Sequence, residues 1–460
     1  MGLIKRGKRY VKGEEKDIKE IWRRIRKRDF SGNIGLAVKN SIYQFSTTVI
    51  MKIGSLLFTV IIARLLMPEL FGLYSLTLST ILIFGAFSEL GLEKTLLRFI
   101  SKELGKKKAR IKPYLFYLGK IKIYLTILSA ALILILAKYI ANTFYQKPIF
   151  LALLAGILYI AFNQITGFLK SILYASNSFV SVFKREIVFQ ISRLILIPFV
   201  IFLVIKYSLS NELSLMLIIL FLVFSLLISA LFLLLDAKKI YLKKIKNEKT
   251  SKLSKKQKKT VNAFLIATAV FVLSGVFFGN IDKIMLGRFV ASEFIGYYTV
   301  AFSLVGALIP LVGFAGIVLF PIFSRLKGKR LKKGFRRSLK LTIPISVGVF
   351  LVTLVLSHLV VLIIYGNEYL LATNILRILS LLLIISPLIG IYSMYFISQG
   401  KPQVVSKLLI IATALNIFLN YFLITSLLKY GELTAVYGAA IATLISQGLY
   451  LGGLILWRKR

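Results

Sequence analysis

The chain has 460 residues, 58% of them hydrophobic, a mean hydropathy of +0.83 and a formal net charge of +44. An apolar share that large excludes a water-soluble globule, because most of the apolar surface would have no core to enter, and apolar runs of roughly 20 residues, enough to cross a bilayer, recur along the chain. The absence of cysteine excludes disulfides and thiolate metal sites.

The chain is therefore expected to be an all-α polytopic membrane protein. Residues 1–37 form a basic arm in which Ile18, Ile21, Trp22 and Ile25 recur at helical spacing among Arg23, Arg24, Arg26, Lys27 and Arg28. A helix lying on the inner membrane face satisfies that pattern, and a disordered basic tail is the alternative. The start is too polar for a cleaved signal peptide, so the first span is expected to direct insertion. Twelve spans follow, at about 38–64, 70–92, 116–141, 149–175, 183–206, 212–235, 261–288, 293–322, 339–365, 371–399, 404–426 and 434–456.

Charge alternates between the connecting segments. One set, comprising the arm, 93–115, 176–182, 236–260, 323–338, 400–403 and the C-terminal Trp457-Arg458-Lys459-Arg460, carries nearly all of it. Residues 238–259 alone hold Lys238, Lys239, Lys243, Lys244, Lys246, Lys249, Lys252, Lys255, Lys256, Lys258 and Lys259, while the opposite loops hold isolated cations such as Lys147 and Lys429. The positive-inside rule then places both termini in the cytoplasm of a cell-membrane protein. In a soluble protein a charge of +44 would suggest nucleic acid. Beside membrane spans its nearest partners are anionic lipid headgroups, so no nucleic-acid partner is expected.

An internal repeat divides the chain. Arg64, Glu69, Gly72 and Tyr74 recur in the same frame as Arg288, Glu293, Gly296 and Tyr298, each copy at the outer turn between the first and second spans of a six-span set. Two lobes of equal topology follow, 38–235 and 261–460, joined by the basic linker 236–260 and related by an axis along the membrane normal. The repeated residues read as turn and interface formers, not as substrate ligands.

Three stretches carry a resemblance: ARLLMPELFGLYSLTLSTILIFGAFSELGLEKTLLRFI (63–100), NIDKIMLGRFVASEFIGYYTVAFSL (280–304) and LNIFLNYFLITSLLKYGELTAVYGAAIATLISQ (415–447). They resemble the polysaccharide-biosynthesis flippases of the multidrug/oligosaccharidyl-lipid/polysaccharide (MOP) exporter superfamily, which also holds the MATE drug exporters and the lipid II flippases. The resemblance implies two six-helix lobes around a central cavity and a cargo that is an anionic, lipid-linked, diphosphate-bearing oligosaccharide. Twelve spans, where several lipid II flippases have fourteen, favour the O-antigen-type branch.

Ionisable groups inside spans are costly unless they face a cavity or a partner. Lys52 and Arg193 fall near the middle of their spans, and Lys170 and Arg377 nearer span ends. All four are candidate ligands for an anionic headgroup, since a diphosphate offers several strong acceptors to ammonium and guanidinium groups. Pairing with Glu89 or Asp282 is the alternative. Asn163, Gln164, Gln190, Asn416 and Asn420 are candidate sugar ligands, because amides both donate and accept, with helix-to-helix hydrogen bonding as the alternative. Asp282 and Lys283 diverge by about 100° on a helix and cannot pair well with each other. Their repeat equivalents are Phe58 and Thr59, so the fold does not demand them, and with Glu89 they are candidate gate or coupling residues. His358 reads as a helix-packing residue, and Asn416 and Asn420, four apart, as helix-holding amides. Pro198, Pro310, Pro344 and Pro387 interrupt spans where a rocking lobe can bend.

The loops are too short for a catalytic domain and carry no catalytic or metal motif, so an enzyme, including a polyprenyl-dependent glycosyltransferase, is not expected. Nor is a cofactor, although a coupling ion, H+ or Na+, is compatible with the pattern. The expected activity is an alternating-access flippase for a lipid-linked oligosaccharide, working as a single chain. The rival, a MATE-type drug/cation antiporter, would need acids where the first span carries Lys39 and Lys52.

Overall fold

The computed structural model describes residues 32–106, 110–245, 248, 252–325 and 328–459. They are helical almost throughout, with no strand among the described residues, because a backbone in hydrocarbon must satisfy its own polar groups. In chain order the helices are α1 (Gly32–Glu89), α2 (Leu92–Leu104), α3 (Lys112–Lys138), α4 (Phe150–Ala175), α5 (Phe179–Lys206), α6 (Asn211–Lys244), α7 (Lys255–Phe289), α8 (Ser292–Arg325), α9 (Gly328–Tyr365), α10 (Ala372–Leu379), α11 (Leu382–Ser398), α12 (Pro402–Leu428) and α13 (Glu432–Lys459). A π-helical turn, Tyr139–Tyr145, continues α3, and a 3-10 turn, Asn367–Tyr369, precedes α10.

The first two expected spans are the two limbs of α1. They meet at Met67 (φ 59, ψ 168), where Pro68 removes a backbone donor and disfavours helical geometry in the residue before it. Eleven helical segments among the described residues are long and apolar enough to cross a membrane, and the first, Val38–Leu104, runs for 67 residues across this break. At about 1.5 Å per residue it far exceeds one crossing of a core about 30 Å thick, which accommodates twelve spans.

Four expected boundaries are corrected. Segment 93–115, expected as a loop, is mostly α2, whose Leu92, Leu96, Phe99 and Ile100 are buried on one face. Its dense charge hid a short apolar stripe. Segment 323–338 is helical on both sides of residues 326–327, and the expected tenth span is divided into α10 and α11. The linker is shorter than 236–260, since α6 runs to Lys244 and α7 starts behind a Ser254–Gln257 capping box. Glu248, an acid in this basic linker, accepts hydrogen bonds from the Ile111 and Lys112 backbone N–H groups at 2.7 and 3.0 Å and so caps α3. The amphipathic reading of residues 18–28 lies outside the described residues.

Each lobe packs its fifth span against its first: α5 against the inner limb of α1, and α12 against α7. The largest core cluster joins both lobes, uniting Phe58, Ile62, Phe71 and Tyr74 with Val290, Ile295, Tyr298 and Tyr369. This shared core forms where the two copies of the repeat meet.

Candidate functional site

In the N-terminal lobe a polar stripe, Glu186, Gln190 and Arg193, runs along α5 at i, i+4 and i+7 in otherwise apolar surroundings. Arg193 Nη2 donates to Ser55 Oγ at 3.0 Å, and the guanidinium lies 4.4 Å from the Phe58 ring centroid and 5.1 Å from that of Phe189. It is 9% exposed, and among the described residues Nε has no hydrogen-bond partner and no carboxylate stands within 4 Å. Gln190 Nε2 donates to Glu186 Oε1 at 2.7 Å. Gly54 admits this amide, since a Cβ there would lie 2.4 Å from Gln190 Oε1.

Glu186 is the acid of this group. Its Oε2 lies 3.0 Å from Arg185 Nη1 and 4.0 Å from Lys170 Nζ. Arg185 Nε is also buried without a partner. Glu93 sits 3.8 Å from Lys122 Nζ and packs on α4 at Gly167, where a Cβ would lie 1.6 Å from its Oε1. Lys170 and Arg185 thus share one carboxylate, Glu186, while Lys52 and Arg193 make no ion pair among the described residues, and cationic donors are left unmatched. The bilayer core supplies no counter-charge, so such an array is suited to an anionic guest.

The C-terminal lobe uses the same seam for the opposite charge. Asp282 on α7 is 4% exposed. Asn420 Nδ2 donates to its Oδ1 at 2.7 Å, Thr443 Oγ1 donates to Oδ2 at 2.7 Å, and the Tyr298 hydroxyl donates to the same Oδ2. Asn416 Nδ2 reaches Thr443 Oγ1 at 3.3 Å. The side-chain oxygens of Asn416 and Asn420 are buried in this cluster without hydrogen-bond partners. Asn416 and Asn420, expected to hold helices together, are therefore also the surroundings of a buried acid.

The other predicted residues divide between and beyond these clusters. Lys52 is exposed, makes no ion pair among the described residues, and stands one helical turn before Ser55, the partner of Arg193. Asn163 is half-buried on an α4 stripe with Tyr159 and Lys170, without a hydrogen bond among the described residues. Gln164, the next residue, points elsewhere and donates to the Gly85 carbonyl at 3.0 Å. Arg377 lies apart, at 2.9 Å from Ser357 Oγ and 3.1 Å from Asn374 Oδ1. Glu89 accepts from the Gly91 and Glu93 backbone N–H groups at 2.7 and 3.2 Å, a cap on α2 and no ion pair with Arg98 or Lys94. Lys283 is half-buried and not paired with Asp282. Sequence reasoning missed Arg185, Glu186, Tyr298 and Thr443. The i, i+4, i+7 spacing of Glu186, Gln190 and Arg193 was the available signal for the first pair.

The repeated turn residues cross between lobes. Arg64 donates to the carbonyls of Ile364 and Ile363 at 2.8 and 2.5 Å, at the end of the third span of the other lobe. Arg288 does the same in reverse, reaching Phe144 and Thr143 at 2.8 and 3.4 Å. Each arginine caps helix-end carbonyls of the opposite lobe. Gly72 and Gly296 let the two turns touch, for a Cβ on Gly72 would lie 1.7 Å from the Ser292 carbonyl oxygen, and one on Gly296 2.5 Å from that of Pro68. Tyr369 adds a hydrogen bond to the Ala63 carbonyl at 2.8 Å. The repeat therefore forms an inter-lobe latch, beyond the turn role expected of it.

Solved structures share this fold. A lipid II flippase, MurJ, in an inward closed conformation superposes with a TM-score of 0.68 at 17% identity, over 91% of this chain and 87% of that one. An inward-facing multidrug resistance MATE family transporter of the MOP superfamily gives 0.66 at 15% identity, over 89% and 96%. In sequence the chain is similar to the teichuronic acid biosynthesis protein TuaB of Bacillus subtilis (strain 168), 28% identical over 127 residues. That match spans about a quarter of either chain, 26% of each. The fold is that of the MOP superfamily in a multi-pass membrane protein. The model of the family described as "Polysaccharide biosynthesis protein" matches residues 37–327, more than half of the chain, and the chain belongs to that family.

Proposed function

We propose that the protein flips an anionic, lipid-linked, diphosphate-bearing oligosaccharide across the cytoplasmic membrane by alternating access of its two lobes, as a single chain with both termini in the cytoplasm. The observation that carries this reading is Arg193: a mid-span guanidinium, buried, with an unused Nε and no carboxylate within 4 Å among the described residues, bonded to Ser55, which stands one helical turn from Lys52. Removing an arginine from water without a counter-charge is costly, and a guest diphosphate offsets that cost while it is bound. Lys170, half-committed to Glu186 at 4.0 Å, and Asn163 supply further donors on the same side, where sugar hydroxyls would lie. The family description, polysaccharide biosynthesis, agrees with such a cargo.

Asp282 serves in this reading as the coupling site. A carboxylate, two amide oxygens without hydrogen bonds and a threonine hydroxyl form an all-oxygen set, which suits a proton or a sodium ion and not a soft metal. Binding there changes which donors Asp282 accepts from α8, α12 and α13, and so how those helices pack on α7.

The test is a flipping assay in vesicles with a lipid-linked oligosaccharide. Lys52→Gln and Arg193→Gln abolish flipping while insertion persists, and Asp282→Asn removes the response to an imposed Na+ or pH gradient. Wild-type rates in both neutral variants at the cationic seam overturn the anion reading. Flipping that ignores both gradients overturns the coupling assignment alone.

A further inference from the structure

We propose that a groove on the outer flank of the N-terminal lobe, away from the inter-lobe seam, holds one anionic phospholipid of the leaflet that meets the basic loops. The wider part of the groove, about 600 Å3, lies between α3, α4 and α6 near the ends of these helices that adjoin the linker. Its walls are apolar, built from Phe116, Ile123, Phe168 and Leu234, of which Phe116, Ile123 and Leu234 are exposed. A narrower part of about 310 Å3 continues along α3 and α4 as far as Ile127 and Ala161, sharing Gly119, Ile123, Phe168 and Leu169 with the first. From Lys112 to Ile127 the groove follows α3 for about 22 Å at about 1.5 Å per residue. One leaflet's half of a core about 30 Å thick is about 15 Å, so a lipid chain with its headgroup region fits the length.

The charges in the walls select the headgroup. Lys112, Lys120 and Lys238 line the wider part and no carboxylate lines either part. Lys112 is held by the Glu248 carbonyl at 2.8 Å, whereas Lys120 and Lys238 are exposed and make no ion pair among the described residues. A phosphodiester with net negative charge is attracted to these ammonium groups, and a zwitterionic headgroup would bring its own cation among them. Deeper in, Lys122 lines the narrow part with its side chain 7% exposed, and its Nζ has no hydrogen bond, the Glu93 carboxylate standing off at 3.8 Å. The ester carbonyl oxygens of a phospholipid lie just below its phosphate and offer Lys122 the missing acceptor. The site does not depend on what the central seam transports.

Two substitutions separate the charge contribution from the shape contribution. Lys120→Gln with Lys238→Gln removes headgroup attraction and leaves the apolar walls. Gly119→Phe, at the junction of the two parts where a Cβ would lie 3.6 Å from the Phe168 ring, fills the chain channel and leaves every lysine. The full-length protein is purified, delipidated and titrated with phosphatidylglycerol or phosphatidylcholine of matched chains, and bound lipid is counted by native mass spectrometry. The wild type is expected to hold one phosphatidylglycerol in preference to phosphatidylcholine. At about fivefold per lysine near a headgroup, the double Gln variant loses roughly 25-fold in that preference. Lys120→Arg with Lys238→Arg keeps it, and Gly119→Phe binds neither lipid at this stoichiometry. Equal binding of the two lipids by the wild type overturns the proposal, as does a preference that survives the double Gln change. If Gly119→Phe does not fold, the comparison of the Gln and Arg pairs decides the matter alone.

Discussion

Gly72→Ala probes the inter-lobe latch with the smallest possible perturbation. An added Cβ would lie 1.7 Å from the Ser292 carbonyl oxygen and 2.6 Å from its carbon. Ordinary carbon contacts begin at about 3.5 Å, so the backbones at Gly72 and Ser292 must separate by about 2 Å. Alanine is the better helix former by about 1 kcal/mol, so the damage falls on the seam between lobes and not on α1 itself. Overpacking of this kind costs about 1–3 kcal/mol. Applied to one side of a closed–open equilibrium, that is roughly a five- to 150-fold shift toward separation. The chain contains no cysteine, so a single Ala63→Cys reporter needs no background removed. Ala63 is fully buried and its carbonyl receives the Tyr369 hydroxyl across the seam. With a membrane-impermeant maleimide, Gly72→Ala is expected to speed labelling at this position at least fivefold. Gly296→Ala, with its nearest clash at 2.5 Å, should do so less, and Gly306→Ala, which meets nothing within 4 Å, not at all. Unchanged labelling in a folded Gly72→Ala protein would show that the seam is static packing and not a moving gate.

Other expectations follow from the same geometry. Arg64→Gln and Arg288→Gln each remove bonds to carbonyls of the opposite lobe, and the double variant should label faster than either alone, since charged hydrogen bonds are worth about 1.5–3 kcal/mol each. Lys52→Glu should flip less than Lys52→Gln, because it sets like charge against phosphate, and matched rates would speak against an anionic guest. Asp282→Ala strands the donors of Tyr298, Thr443 and Asn420 and should lower the melting temperature in detergent, whereas Tyr298→Phe, which removes a single donor, should cost about 1–2 kcal/mol less. Replacing several linker lysines with glutamine should alter orientation or lipid association and spare transport in correctly inserted protein, as read by reporter fusions and vesicle flipping.

The spans were legible because a bilayer imposes length and apolarity residue by residue, and only where charge interrupts that signal did reading fail. α2 shows why: Lys94, Arg98 and Lys102 dominate its composition, yet Leu92, Leu96, Phe99 and Ile100 recur at helical spacing and bury one face. The intramembrane charges were legible as rare residues, but their partners were not. Arg193 finds Ser55 at a separation of 138 residues and Asp282 finds Thr443 at 161, distances over which sequence carries no register. The latch was half legible. Its repeat frame stood out, but the crossing of each arginine into the other lobe requires the two copies to be brought face to face.

Each lobe has the equivalent seam, and the two seams carry opposite charge, an asymmetry that supports the proposed function. In each lobe the fifth span meets the first. In the N-terminal lobe the fifth span brings a cation, Arg193, to a hydroxyl of the first, Ser55. In the C-terminal lobe the first span brings an acid, Asp282, to an amide of the fifth, Asn420. Packing alone does not account for Asp282, because the repeat equivalents of Asp282 and Lys283 are Phe58 and Thr59, apolar or neutral residues that the same helix contact accepts. Each unlike charge must therefore be offset by something that the shared fold does not provide. In the proposed function an anion offsets the charge of one seam and a cation that of the other, and the latch between the lobes is expected to carry a change in packing at either seam to the other. Energetic coupling between two such sites is reciprocal. A chain in which the Asp282 seam bound its cation with the same affinity whether or not anionic cargo occupied the Arg193 seam would have two independent sites, and the division of charge between its lobes would be left without a purpose.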